Sequence, residues 1–295
     1  MSLVSTFRVG RLTCHTLEGG QQRLDGGAMF GVVPKPLWSR QIGADDRNRV
    51  PLALRCLLVE HDDGLVLIDT GIGNKESDKA RDIYGIENTG LAGATQLDDA
   101  LAELGFTATD VRFVINTHLH FDHAGGNTMI PEGSGLADGD EQLAFPNATY
   151  IVQKGELEFG GRSNERLSPS YLPKNFAPVT AAGRWRLLKG DAEILPGIRA
   201  VLTPGHVPHH QSVMISDGGE TACFLGDVVP TTVHLRLPWI MGFDLEPLVT
   251  LESKRRLLTQ AEADGWILVF EHDPERGLGT VVKDGKSFGF QALES

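Results

Sequence analysis

The amino-acid sequence predicts an α/β fold in a chain that forms one domain, residues 1–295. Apolar runs rich in β-branched residues recur along the chain and end at Gly, Pro or polar residues, which is the pattern of buried strands. Residues 52–69 predict a hairpin whose turn is Asp62-Asp63-Gly64. Two other stretches, 96–104 and 245–263, carry leucines at helical spacing. Strands in both halves of the chain, with helices between them, favour the α/β class.

The remaining elements are shorter. A polar segment at 154–159 favours a helix, and the remaining predicted strands are 6–17 (one or two), 111–116, 148–152, 185–188, 198–202, 211–215, 221–225 and 266–271. A long loop of about 18–50 is rich in Gly and Pro yet carries large apolar side chains, which is typical of lids and binding loops. We predict that it lies near the active site and forms a wall of the substrate pocket. Packing on the core, or a subunit contact in a homodimer, is the alternative. The Gly-rich insert 131–146 is predicted to border the same pocket.

The composition is that of a soluble globular protein, with 41% hydrophobic and 22% charged residues. The net charge of -12 argues against nucleic acid and anionic membranes as partners. No apolar run is long enough to span a bilayer, and the N-terminus lacks the apolar core of a signal peptide, which predicts a cytoplasmic protein. Cys14, Cys56 and Cys223 are odd in number and far apart, so we predict buried free thiols in a reducing compartment.

One segment concentrates the side chains that bind metals. After the predicted strand 111–116, the chain places His118, His120, Asp122 and His123 within six residues. Side chains two apart in extended chain point to the same side, so His118 and His120 are predicted to converge on one ion. Asp122 and His123 are adjacent and would serve a second ion if the chain turns, which the glycines at 125 and 126 permit. The alternative is a loop of solvated polar residues.

Four local residues cannot complete two coordination spheres, so further ligands are expected far away in the sequence. His206, Asp227 and His272 each stand at the exit of a predicted strand, where loops hold functional groups. Alone, each of them would be as well explained by a structural role. Together with the first segment, they predict a metal site of imidazole and carboxylate donors, which suits zinc.

The pattern HxHxDH, then TPGH, then GD, then a late His, with Leu67-Ile68-Asp69-Thr70-Gly71 upstream, resembles the metallo-β-lactamase superfamily over about residues 50–275. The resemblance implies an αββα sandwich with a two-metal site at one edge. Its implied ligands are His118, His120 and His206 for the first ion, Asp122, His123 and His272 for the second, and Asp227 for both. Asp69 would orient the ligand loop by hydrogen bonding, and His210 would lie behind the ligands or pack beside them. Zinc is the expected metal, with iron, manganese or cobalt as alternatives.

Two divalent cations that share a bridging oxygen suit hydrolysis, and Asp122 would accept or donate a proton near the attacking water. Within the superfamily, residues 25–38, 117–126, 226–227 and 271–273 most resemble the quorum-quenching N-acyl-homoserine lactonases. That likeness implies a small-molecule lactone as substrate, with its acyl chain in an apolar pocket. The candidates for this pocket are Phe30, Trp38, Trp239, Met241 and Phe243. Ordinary core packing is the alternative for 238–243.

One position departs from the lactonase pattern. Lactonases of this type carry a Tyr three positions after the bridging Asp, and here that position is Pro230. Either His234 or Tyr171 is expected to fill its role, or the substrate differs. A phosphotriesterase or a hydroxyacylglutathione-type thioesterase would use the same metals. A non-catalytic binding or sensor protein would lack ligands, and in this sequence none is missing.

Overall fold

The computed structural model describes residues 2–131, 140–162 and 164–293. The chain divides into two compact units, one of Met1–Gly20 with Leu54–Gly190 and one of Gln21–Ala53 with Asp191–Ser295. Both units therefore draw on the N-terminal part of the chain, whereas two tandem domains would each take one continuous stretch.

The strands and helices are numbered along the chain. The strands are β1 (Val4–Val9), β2 (Leu12–Asp25), β3 (Arg49–Glu60), β4 (Leu65–Ile68), β5 (Val111–Ile115), β6 (Thr128–Met129), β7 (Gln142–Leu143), β8 (Thr149–Gln153), β9 (Trp185–Leu188), β10 (Ala192–Leu195), β11 (Ile198–Leu202), β12 (Gln211–Asp217), β13 (Glu220–Phe224), β14 (Ile267–Val269), β15 (Leu278–Asp284) and β16 (Ser287–Ala292). The helices are α1 (Gly26–Phe30), α2 (Lys35–Trp38), α3 (Asp78–Tyr84), α4 (Gln96–Glu103), α5 (Phe121–Ala124), α6 (Lys154–Gly160), α7 (Ala177–Ala181) and α8 (Pro247–Asp264).

The first unit is built mainly on a seven-stranded mixed sheet in the order β1-β2-β3-β4-β5-β8-β9. β3 and β4 pair antiparallel, with Leu57 opposite Ile68, which confirms the predicted hairpin. β4, β5, β8 and β9 run parallel, so helices connect them. α4 is one such connection, confirmed where the leucine spacing predicted it. It begins with a capping box between Thr95 and Asp98, and it buries Leu97 against the sheet.

The second unit holds the other seven-stranded sheet, in the order β10 to β16. Its neighbours pair antiparallel, except that β13 and β14 are parallel. The predicted helix at 245–263 is confirmed as α8, which buries Leu257 and Leu258 in the core of this unit. In the part of the chain that the structure describes, none of the helices is both long and apolar enough to cross a lipid bilayer.

The prediction of a loop over about 18–50 is wrong in its extent. β2 continues to Asp25, two short helices follow, and β3 already begins at Arg49. The Asp25 side chain accepts from the backbone N–H of Ala28 and so starts α1, while Asn48 donates to its other oxygen. α2 is only four residues long, and its Trp38 is 1% exposed. Elements this short are stabilised by packing and capping and leave no periodic pattern in the sequence.

The prediction for the insert 131–146 falls partly on residues 132–139, which lie outside the described residues. The rest includes β7, which pairs with β6 in a two-stranded sheet. Cys14, Cys56 and Cys223 are buried free thiols, as predicted.

Candidate metal centre

The first unit carries one candidate ligand segment, which follows β5. His118 and His123 are fully buried, and Asp122 is 6% exposed. The ring of His118 lies 4.5 Å from that of His120 and 4.0 Å from that of His123, measured between centroids. α5 begins directly after His120, so the backbone changes there from extended to helical. The helical turn takes Asp122 and His123 out of strand alternation and brings three imidazoles together.

Gly125 and Gly126 let the loop after β4 approach this segment. A Cβ at position 125 would lie 2.1 Å from the carbonyl oxygen of Ile72, and one at position 126 would lie 2.2 Å from that of Thr70. Thr70 in turn donates its N–H to the carbonyl of His123 at 2.8 Å. The φ of Gly125 is -59°, which any residue adopts. Glycine is therefore required for the close approach of two backbones and not for the turn itself.

Asp69 is a fully buried carboxylate behind the segment. Its Oδ1 accepts from the backbone N–H of Thr117 at 2.7 Å, and its Oδ2 accepts from the Thr117 hydroxyl at 2.6 Å. The same Oδ2 lies 3.0 Å from Nδ1 of His123. Because a carboxylate only accepts, His123 carries its proton on Nδ1 and presents the lone pair of Nε2. Asp69 has a φ of +53°, a conformation that is uncommon outside glycine and that clusters at functional sites.

The second unit brings together the three distant candidates. β11 and β13 are both antiparallel to β12, and β14 is parallel to β13, so these three strands end at one edge of the sheet. Their exits carry His206, Asp227 and His272. The Oδ2 of Asp227 lies 3.1 Å from Nε2 of His206, and its Oδ1 lies 3.2 Å from Nε2 of His272. A single carboxylate thus faces two imidazoles with separate oxygens, an arrangement that allows it to be a shared ligand of two ions.

Acceptors behind both imidazoles fix their orientation. The Nδ1 of His206 lies 2.8 Å from Oδ1 of Asp244, a buried carboxylate. The Nδ1 of His272 lies 2.8 Å from the carbonyl oxygen of Ala53. Asp244 is positioned by the backbone next to it, because Leu245 donates its N–H to the carbonyl of His206 at 3.0 Å.

These bonds decide whether a metal fits the site. With the protons of His206 and His272 held on Nδ1, each Nε2 presents a lone pair toward a carboxylate oxygen of Asp227. Two acceptors at about hydrogen-bond distance repel each other, and a cation that both can bind removes the repulsion. Imidazole nitrogen and carboxylate oxygen, backed by hydrogen-bond acceptors, form a donor set that fits a divalent metal.

The sequence between residues 50 and 272 matches the family model described as the metallo-beta-lactamase superfamily. The chain belongs to the metallo-β-lactamase superfamily. A relative from Bacillus sp, named N-acyl homoserine lactonase, is 30% identical over 239 residues, which cover 78% of this chain and 85% of the relative. This superfamily member is therefore a hydrolase with lactonase-named relatives.

Solved structures agree on the fold of this metallo-β-lactamase superfamily member. A probable metal-dependent hydrolase from Staphylococcus aureus is 31% identical, with a TM-score of 0.86, and the match covers 98% of this chain and 99% of that one. The structure of AidC, described as a dizinc quorum-quenching lactonase, is 20% identical with a TM-score of 0.80, covering 100% of this chain and 98% of that one. The predicted αββα fold class is confirmed.

All seven residues predicted as ligands are among those able to hold a metal in this superfamily member. In residues 2–131, 140–162 and 164–293, the side chains that could do so are Asp69, His118, His120, Asp122, His123, His206, Asp227, Glu271 and His272. Glu271 is the member of this set to which the sequence analysis assigned no role.

His210 supports the backbone of Asp227 through a chain of buried hydrogen bonds. The Asp227 N–H donates to Nε2 of His210 at 3.0 Å, and Nδ1 of His210 lies 2.8 Å from the Thr203 hydroxyl. Ser212 donates to the carbonyl of Leu225 at 2.9 Å, so Thr203 donates to Ser212 at 3.0 Å and accepts from His210. Each hydrogen bond in this series therefore has one donor and one acceptor. His210 is neutral, donates from Nδ1 and accepts at Nε2.

The residues predicted for an apolar substrate pocket lie in the second unit. Four of them, Phe30, Trp38, Trp239 and Met241, are buried in one apolar cluster. The rings of Phe30 and Trp38 stack with centroids 5.1 Å apart. Phe243 differs from the other four, because 38% of its surface is exposed.

Pro230 and His234, in the region that departs from the lactonase pattern, have defined partners. The carbonyl of Pro230 accepts the backbone N–H of His272 at 3.0 Å. His234 lies 2.9 Å from the carbonyl of Met29 through Nε2, and its ring stacks on Phe30. Burial, together with the nearby Lys254, lowers the pKa of His234 to about 4. His234 is therefore neutral at pH 7 and donates from Nε2 to a backbone carbonyl.

Asp244 is a functional residue for which no role was predicted, although the sequence carries a signal for it. The apolar run 238–243 ends in this carboxylate, just as the strand before Asp227 ends in one. A carboxylate at the end of an apolar run is the same signal that predicts Asp227 as a ligand.

Proposed function

We propose that this protein is a dinuclear metal-dependent hydrolase that opens the lactone ring of N-acyl-homoserine lactones, a quorum-quenching activity. The main observation in support is the position of the Asp227 carboxylate. Its two oxygens lie 3.1 Å and 3.2 Å from the Nε2 atoms of two different histidines. Relatives from two Bacillus sources named N-acyl homoserine lactonase, each 30% identical, support the substrate class.

The proposed ligands are seven side chains. His118, His120 and His206 would hold the first ion, Asp122, His123 and His272 would hold the second, and Asp227 would contribute to both. Behind them, Asp69 and Asp244 hold imidazole protons on Nδ1, so the Nε2 atoms are left to bind metal. Zinc is the proposed metal because imidazole and carboxylate donors suit it, and iron, manganese and cobalt accept the same donors.

When bound, the two cations polarise the lactone carbonyl and lower the pKa of water toward neutrality. In the proposed reaction the water oxygen bonds to the carbonyl carbon, and the ring C–O bond breaks with its electron pair on the ring oxygen. Asp122 accepts the proton of the water and passes it to that oxygen, so the product is a hydroxy acid. Asp122 suits this task because it lies next to the ligand His123, with its Oδ1 3.9 Å from Nε2 of His123, and is 6% exposed.

The acyl chain is proposed to lie against the apolar cluster of the second unit. Phe30, Trp38, Trp239 and Met241 belong to this cluster. Phe243, which is 38% exposed, is proposed to contact the acyl chain as well. An apolar wall of this kind would favour longer acyl chains, because each buried CH₂ contributes about 0.8 kcal/mol.

The experiment is pH-stat titration of an N-acyl-homoserine lactone with a long acyl chain, with the metal content of the same sample counted by elemental analysis. Acid release at about two ions per chain supports the proposal. The matched control is His61→Ala, which removes a histidine of the β3–β4 turn and should leave both metal content and turnover unchanged.

If the enzyme is fully loaded with metal but releases no acid, the lactone is rejected as the substrate. The proposed metal site would still stand. A phosphotriester and a thioester would then be assayed in the same way. A wild-type protein that binds no divalent metal would reject the dinuclear hydrolase altogether.

A further inference from the structure

A second buried carboxylate lies behind the ligand segment of the first unit. Glu156 sits on α6 and is fully buried. Its Oε1 accepts from the backbone N–H of Leu119 at 3.0 Å and from the hydroxyl of Tyr171 at 2.7 Å. Burial of a carboxylate is costly unless donors satisfy it, so these bonds must be kept for Glu156 to stay inside.

The bond to Leu119 matters because this residue lies between His118 and His120. On the other side of His120, Phe121 donates its backbone N–H to the carbonyl of Ser170 at 2.9 Å. Both backbone N–H groups that flank His120 are therefore held by the part of the first unit that contains α6 and the segment leading to Tyr171. The extended backbone of a ligand pair cannot shift along its axis without breaking these bonds.

Tyr171 is held as tightly as the carboxylate to which it donates. It is 1% exposed, and its ring centroid lies 4.7 Å from that of His120. A Cβ at Gly160 would lie 2.6 Å from Cδ1 of the Tyr171 ring, so the absence of a side chain there makes room for it. Burial and the adjacent Glu156 raise the pKa of Tyr171 well above its usual value, so the hydroxyl stays a donor.

We propose that Glu156 and Tyr171 form a positioning pair that fixes His118 and His120 in the geometry of a metal site. Neither residue is among the proposed ligands. Glu156 fixes the backbone between the two histidines, and Tyr171 holds Glu156 in place while its ring makes a T-shaped contact with that of His120. This inference rests on the proposed metal site.

The test measures metal affinity in full-length Glu156→Gln and Tyr171→Phe variants, by competition with a chromophoric chelator for Zn²⁺. Loss of a group that orients ligands typically weakens metal binding by roughly 10–100-fold, and we expect about tenfold for each variant. Visible absorption of the Co²⁺-loaded variants should also change, because the angle between the ligating imidazoles changes. Glu158→Gln is the matched control, because Glu158 lies on the same helix but pairs with Lys154 at the surface.

A general loss of stability is separated by a second control, Tyr150→Phe. The Tyr150 hydroxyl is also buried and bonded, to the carbonyl of Asn127 at 3.0 Å, but it makes no bond to residues 118–121. This variant should lower the unfolding temperature and leave the Co²⁺ spectrum unchanged. If Glu156→Gln does not fold, the metal affinity and Co²⁺ spectrum of Tyr171→Phe alone test the positioning pair.

Wild-type affinity and an unchanged Co²⁺ spectrum in the folded variants would overturn the positioning pair. That result would leave the proposed function standing, since the wild type would still bind two ions and hydrolyse its substrate. A wild type that binds metal but opens no lactone would reject the substrate and leave this test intact.

Discussion

Replacing Asp244 by Asn tests whether the carboxylates behind the histidines act on the metal. Oδ1 of Asp244 lies 2.8 Å from Nδ1 of His206, and both residues are buried. Asn keeps the size and one acceptor oxygen but removes the charge. Hydrogen bonds to charged groups contribute about 1.5–3 kcal/mol, against about 0.5–1.5 kcal/mol for neutral ones. The difference of roughly 1–2 kcal/mol predicts a metal dissociation constant that rises about 5-fold to 30-fold, since about 1.4 kcal/mol is tenfold.

The assay is chelator competition with metal-free protein, in which Zn²⁺ partitions between the protein and an indicator of known affinity. Glu246→Gln is the matched control, because it removes the same charge two residues away at an exposed position. The argument for an orienting carboxylate is refuted if Asp244→Asn binds Zn²⁺ within twofold of the control. Equal weakening in both variants would instead assign the effect to the overall charge of the chain.

Three further predictions concern the ligands, the backbone and pH. His118→Ala should abolish metal binding and turnover together, and full pH-stat activity in a variant without metal would contradict the mechanism. Gly125→Ala should lower the free energy of unfolding in urea by about 3 kcal/mol, because its Cβ would lie 2.1 Å from Ile72 O, whereas Gly43→Ala has open space and should match the wild type. Burial lowers the pKa of Lys254 to about 7, so the folded protein binds fewer protons than the unfolded chain above that pH. Wild-type stability should therefore rise relative to Lys254→Met from about pH 7 to about pH 9.5 in urea titrations, by up to about 1.4 kcal/mol per pH unit, and a flat or falling difference would contradict the buried amine.

The ligand segments could be predicted from the sequence because each one places a polar residue at the end of an apolar strand. The strands before His118, Asp227 and His272 end in buried apolar residues on both faces, so their apolar runs stop abruptly where the chain leaves the sheet. The helix of residues 96–103 could be predicted equally well from the sequence, since its leucines face one core. Such local patterns locate candidate ligands, and knowledge of the fold then pairs them.

Groups that act through long-range hydrogen bonds could not be found in this way. Glu156 lies in a polar helical segment, and nothing in its neighbours distinguishes it from the exposed Glu158. Its burial depends on Leu119 and Tyr171, which lie 37 residues before it and 15 after it. The short helices α1 and α2 were missed for a related reason, because packing of Trp38 and capping by Asp25 stabilise them, not periodicity.

The charge of the buried carboxylates supports the proposed count of two ions. Asp122 and Asp227 among the proposed ligands, and Asp69 and Asp244 behind the histidines, are each at most 7% exposed. Four buried negative charges are costly unless cations compensate them, because charged groups lose their hydration inside a protein. The imidazoles they contact must be neutral to bind metal, so they supply no compensation. One divalent ion would compensate only half of the charge on these four carboxylates, and the fully buried Glu156 and Glu271 add further negative charge, so a second ion would lower the cost of burying them. The second ion should therefore bind with the affinity that its own ligands provide, and not more weakly because the first ion is present. A metal titration that saturates at one ion per active chain would contradict the dinuclear assignment.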